Sequence, residues 1–235
     1  MKKNLSCYMC SNPAINMEHV PPKCFFPKTS NGAFAKNLIK VPSCKTHNND
    51  TSTTDDLVSL LLYIATNNRK NDAVELQGRK FLNFESENVD SKITSLIKIL
   101  NNEPRIINLE DRFRDKEGET LAFNYNRLRP MVQETFKKIT CGIYFKEKNK
   151  KLYGTHRIQE FIGRPKDYKL ALEWIKLKQE AQKIFNQYKT EYIGGNPQVF
   201  KYRYLEFSGS VMFEFVLYEE IVVLNSVHTT HLLMN

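Results

Sequence analysis

Apolar residues recur at helical spacing in four stretches of the chain. In TSTTDDLVSLLLYIAT, Leu57, Leu60, Leu61 and Ile64 share one face. Thr53 or Thr54 can cap that helix, and Asp55 and Asp56 suit its first turn. Val89 to Leu100 repeats the pattern through Ile93, Leu96, Ile97 and Leu100. Pro130, at a favoured first-turn position, opens a third helix with Val132, Phe136, Ile139 and Ile143 on one side. RPKDYKLALEWIKLKQEAQKIFNQY predicts a longer amphipathic helix whose apolar side, with Leu172, Ile175 and Ala181, is expected to face the core. Two alternating runs follow, QVFKYRYLEF and VMFEFVLYEEIVVL, and SGS between them predicts a hairpin turning at Gly209.

The first 54 residues differ from the rest. They hold four of the five cysteines and five of the nine prolines, with no long helical pattern. A strand is expected over Ile15 to Val20, a hairpin partner over Leu38 to Val41, and a short helix from Cys44 toward Asp50. The expected class is α+β: a metal-rich module over residues 1–54, then a mostly helical, basic domain over 55–235 ending in a β-hairpin.

The formal charge of +9 is unevenly spread, with sixteen Lys and Arg against six Asp and Glu between Arg127 and Lys189. The remainder is therefore near neutral, and such a concentration suits a polyanion such as nucleic acid as well as a plain solvated helical face. Lys137, Lys138, Lys146, Lys148, Lys150, Lys151 and Arg157 are the candidates for tracking phosphates. No apolar run is long enough to span a bilayer, and the N-terminus lacks the apolar core of a signal peptide, so a cytoplasmic protein without a membrane partner is expected.

An odd number of cysteines without a secretion signal argues for metal or free thiols rather than a disulfide framework. Cys7-x2-Cys10 and Cys44-x2-His47 form two close pairs, each able to supply two ligands from a tight turn to tetrahedral zinc. A closed site of this kind would contribute much of the folding free energy of a module with little core. It would also leave Glu18, His19 and Asn48 for other work. A carboxylate and an amide oxygen are hard ligands suited to Mg²⁺ or Mn²⁺, and a neutral histidine can take a proton from water.

In order and spacing, Cys7-x2-Cys10, Glu18-His19-Val20-Pro21-Pro22, Asn37-Leu38 and Cys44-x2-His47-Asn48 resemble the HNH nuclease family and its ββα-metal fold. The resemblance covers Cys7 to Asp50. It implies that His19 is the general base, that Glu18 and Asn48 hold a catalytic cation, and that Asn37 fixes its loop and helps to orient His19. His47 stands where a fourth zinc cysteine is usual, and Asn48 where many members have His, which makes this the His-Asn-Asn variant. The later chain resembles small bacterial stand-alone members more weakly.

The implied activity is metal-dependent endonucleolytic hydrolysis of DNA, leaving a 5′-phosphate and a 3′-hydroxyl, in phage defence or a mobile element, with a regulatory partner protein possible. Two other readings stand beside it: a zinc-containing protein that binds nucleic acid without cutting, and a nuclease that attacks RNA.

Overall fold

The computed structural model describes residues 5–29, 31–48, 52–68, 70–82, 105–108, 119–122, 125–163 and 168–229. The helix expected over Val89 to Leu100 and the turn at Gly118 lie outside these residues. Asn16–Val20 (β1) and Ile39–Ser43 (β2) pair antiparallel, and Lys45–Asn48 (α1) follows directly. The ββα order expected for the N-terminal segment is present. Then come Ser52–Ala65 (α2), Asp72–Leu82 (α3), a small antiparallel pair Arg105–Asn108 (β3) and Glu119–Ala122 (β4), and Tyr125–Lys148 (α4).

The C-terminal part is not a helical domain with one hairpin. Gly154–Phe161 (β5), Ile193–Asn196 (β6), Phe200–Phe207 (β7), Ser210–Leu217 (β8) and Ile221–Thr229 (β9) form one antiparallel sheet in the order β5-β9-β8-β7-β6. The fold is α+β in a fuller sense than expected. The run VMFEFVLYEEIVVL is two strands, folded back at a turn with Tyr218 at φ 50° and Glu219 at φ 62°. Neither is a residue that favours the left-handed region, so the turn carries no sequence mark. It is held from outside. The Tyr218 hydroxyl donates to the Phe25 carbonyl (2.8 Å), and Glu220 accepts from the Thr66 hydroxyl (2.7 Å) and from the backbone N–H of Asn67 (2.6 Å) and Asn68 (3.0 Å). The hairpin turn at Gly209, φ 77°, is as expected.

Helix α4 is the centre of the packing. Period-two alternation gives the sheet two faces. One carries Tyr202, Phe213, Phe215 and Asn225 against α4, where Phe136 meets Phe215 (5.8 Å between centroids) and Asn225 donates to Thr140 (2.8 Å). On its other side α4 meets the β1–β2 hairpin so closely that a Cβ at Gly142 would lie 2.6 Å from Val20 Cγ2. The helix begins before Pro130, at Tyr125. Buried Leu128 and the Arg129–Glu160 ion pair (2.6 Å) anchor the extra turn against the lost proline N–H. Among the described residues, one buried apolar cluster runs from Cys7 to Val227, across residue 54.

Tyr168–Gln187 (α5) lies against the opposite face of the sheet. Trp174 sits edge-on to Phe161 (5.4 Å), and the Arg203 guanidinium lies over the Phe185 ring (4.6 Å). Only Ala181 and Phe185 of this helix are buried; Leu172 and Ile175, expected in the core, are exposed.

Lys138, expected on the basic surface, is instead inside. Its ammonium lies 2.8 Å from Glu18 of β1 and 3.4 Å from Asp55 of α2, with all three side chains close to fully buried. The helical period that placed Phe136 and Ile139 on the core side carries Lys138 to the flank where hairpin, α2 and α4 meet. Burial pushes the Asp55 carboxyl up to about 6, although Lys138 works against the rise. Two carboxylates share one ammonium, so removing the cation strands both charges. Lys138→Ala is expected to lower unfolding free energy by about 3–5 kcal/mol, and Asp55→Asn by clearly less, because a one-to-one pair remains. Urea denaturation of the two variants checks the order, and an equal or reversed order would contradict it.

Candidate functional site

Tight local hydrogen bonding brings the two ligand pairs together. The backbone N–H of Cys7 donates to Asn12 O (2.8 Å), Ala14 N to Leu5 O (2.8 Å) and Tyr8 N to Pro42 O (2.8 Å), which folds residues 5–14 onto the end of β2. Helix α1, opened by Asn48 N donating to Cys44 O (3.2 Å), turns His47 back toward the same point. Lys151 donates to the Cys10 carbonyl (2.6 Å) and ties the turn to the segment after α4.

The ligand atoms of Cys7, Cys10, Cys44 and His47 all lie within 4.8 Å of one another. His47 Nδ1 is 3.5, 3.6 and 3.3 Å from the sulfurs of Cys7, Cys10 and Cys44, and Cys10 and Cys44 sulfurs are 3.8 Å apart. Tetrahedral zinc with its usual bond lengths requires about 3.8 Å between sulfurs and about 3.6 Å from sulfur to nitrogen. The four residues could therefore hold a zinc ion. Burial opposes ionisation of the Cys44 thiol, but bonds from the His47 backbone and side chain and from Cys10 and Cys7 bring it down to about 6, the state a metal needs.

The hairpin beside this cluster divides its residues by strand parity. Glu18 is buried and faces α4, while half-buried His19 projects from the opposite face of β1. Beside Glu18 lies the Tyr8 hydroxyl, whose pKa burial raises first, with the Glu18 charge adding to it. His19 stands opposite Lys40 in the β1–β2 register. Burial, then the Lys40 and Lys23 ammoniums, push its imidazole below the ordinary value, and Glu18 pulls weakly the other way. His19 is thus held neutral at physiological pH.

The Mg²⁺ or Mn²⁺ site expected on Glu18 and Asn48 does not fit this arrangement. The ground is Glu18, which is committed to Lys138 and turned away from His19; the Asn48 amide nitrogen, not the oxygen a cation would use, donates to Asn16 Oδ1 (2.7 Å). The Pro pair does not twist Glu18 and His19 to one side, because β1 pairs regularly through Val20↔Ile39. Asn37, exposed at φ 55°, turns the chain into β2; among the described residues it makes no hydrogen bond to His19.

Of the expected phosphate-tracking residues, Lys146, Lys150 and Arg157 are exposed. Lys137 pairs loosely with Glu134 (3.6 Å), Lys148 pairs with Glu206 (2.7 Å), and Lys151 is bound as described above. Sequence reasoning did not single out Lys23 and Lys40. Carrying the expected hairpin through to its register would have placed Lys40 opposite His19.

A second Cys-His cluster lies under α4. Cys141 Sγ is 3.9 Å from His156 Nε2, and Asn225 Nδ2 is 2.9 Å from His156 Nδ1. Burial pushes the Cys141 thiol up to about 12 and the His156 imidazole down to about 4. Both are neutral near pH 7 and the thiol is covered, so the cluster is packing rather than a nucleophile.

The chain matches no protein-family model, and neither a curated protein nor a solved structure is detectably similar to it. No helix among the described residues is long and apolar enough to cross a membrane.

Zinc is expected at one equivalent per chain by elemental analysis of purified protein. Cys10→Ser should lose it and, with it, the protection of β1–β2 amides from hydrogen exchange. Unchanged exchange after complete chelation would show that the cluster contributes nothing to the hairpin.

Proposed function

We propose that the protein is an HNH-type nuclease that hydrolyses DNA phosphodiester bonds, with His19 as general base. The observation that carries the reading is a neutral, half-exposed imidazole on a ββα hairpin clamped by a Cys₃His cluster, in the order that resembles the HNH family. His19 takes a proton from water, the hydroxide oxygen attacks phosphorus, and the bond to the 3′ oxygen breaks. The products are a 5′-phosphate and a 3′-hydroxyl once the leaving oxygen is protonated. Glu18, held by Lys138, stays outside this chemistry. The exposed Lys146, Lys150 and Arg157 supply affinity for the backbone without sequence choice.

A second reading, binding of nucleic acid without cleavage, is favoured by one observation: the carboxylate expected to work beside His19 faces the core instead.

Nicking of supercoiled plasmid in Mg²⁺ and in Mn²⁺ separates the two. His19→Ala should cut about 10²–10⁴-fold more slowly with zinc content unchanged, and a variant that cuts at the wild-type rate would remove His19 from the mechanism. Retardation of DNA on a gel with no nicking in either cation would favour the binding protein. Where cutting occurs, the acid limb of its pH profile should have its midpoint below the usual histidine value of about 6.5, since the base is active once deprotonated and its pKa is lowered.

A further inference from the structure

We propose that Lys23 and Lys40 form a phosphate clamp on either side of His19, so that a nucleic-acid phosphodiester docks on the face of the β1–β2 hairpin opposite Glu18. The clamp deepens the reading of His19 as the base and rests on it for its catalytic meaning, though not for its test.

Three observations carry it. His19 and Lys40 are directly opposed in an antiparallel pair, which sets their side chains on one face with Cβ atoms about 4.5–5.5 Å apart. Lys23 opens the 3-10 turn Lys23–Phe25 immediately after Pro21-Pro22, and its charge is felt at the same imidazole. Both lysines are exposed, and among the described residues neither has an acidic partner. In this they differ from Lys138 and Lys148, which are paired with carboxylates, and from Lys151, which is held by a carbonyl. The charges facing the imidazole are therefore two ammoniums and, from the far side of the strand, Glu18, itself held by Lys138.

A base with two nearby cations that have no acidic partner among the described residues is a place for an anion. Ammonium groups are compact point charges that bind phosphate oxygens without demanding a planar fork. One on each side of a phosphodiester would take a non-bridging oxygen apiece and leave the imidazole facing the phosphorus. Burial first, and then the same ammoniums, lower the imidazole's pKa, so binding and base function draw on one arrangement. Neither Lys146 nor Lys150, at the end of α4, stands beside a titratable base in this way.

The test follows the His19 ring signal by NMR in zinc-loaded, full-length protein at fixed neutral pH, during titration with inorganic phosphate and with a short oligothymidylate. Both probes should shift it saturably. The double variant Lys23→Ala/Lys40→Ala should bind the oligothymidylate at least about tenfold more weakly, as loss of charge-assisted bonds implies, whereas Lys40→Arg should keep most of the affinity. Lys183→Ala, at an exposed position of α5, should leave the His19 response in place. Zinc content and the His156 signal report whether each variant is folded. A His19 signal that ignores both probes, or a double variant that binds as wild type does, overturns the clamp. A response to phosphate alone overturns it as a nucleic-acid site. If the clamp binds while plasmid is never nicked, the clamp stands and the nuclease reading falls.

Discussion

The ammonium of Lys138 joins the three parts of this molecule that the sequence keeps apart. Glu18 comes from the hairpin, Asp55 from α2, and Lys138 from the central helix; all are buried within one ion-pair network. Such a network adds less net stability than an apolar replacement of the same shape, but it tolerates no sliding, because a displaced partner leaves a charge uncompensated in the interior. Around it, contacts can be close. Val20 approaches α4 where Gly142 has no side chain, and the sheet packs on the helix's other side through Phe136 and Phe215. Register is thereby fixed at the point where a small hairpin with few apolar side chains meets a large sheet domain.

The Cys₃His cluster imposes the complementary constraint at the other end of the hairpin. It joins the turn before β1 to the helix after β2, so both strands are closed by side chains at one end and pinned by Lys138 in the middle. Two strands alone are marginal in water. Held in these two places, β1 and β2 form a platform whose outer face carries Met17, His19 and Lys40.

Local patterns could be read from the sequence wherever one residue type dictates one geometry. The x2 spacing of Cys7, Cys10, Cys44 and His47 led directly to a cluster with zinc-like distances, and the strands around Glu18 and Val41 emerged within a residue or two. What failed was tertiary. The turn at Tyr218 and Glu219 has no Gly or Asn because distant groups, Phe25 O and the Thr66–Asn68 segment, hold it. The strand Gly154–Phe161 reads GTHRIQEF; its face toward α4 includes His156 and Glu160 and its other face Thr155, Arg157 and Gln159, so hydrophobic alternation does not mark it. Lys138 was indistinguishable from its exposed neighbours, since only the partner from β1 makes it a core residue.

Strand parity finally decides what an adjacent acid and histidine can do. A Glu-His pair suggests a single site, and a distorted strand end could have made one. With β1 regular through Val20, the two side chains instead serve different surfaces. Glu18 points inward and is consumed in locating the hairpin on α4; His19 points outward, opposite Lys40 and within the influence of the Lys23 charge. The dipeptide is then a junction rather than a catalytic pair. The residue that fixes the hairpin on α4 and the imidazole that faces outward are neighbours, so any shift in the packing against α4 is carried one residue along the strand to the imidazole. This makes the buried charge network a determinant of the geometry at His19, although none of its members faces the same side of the strand.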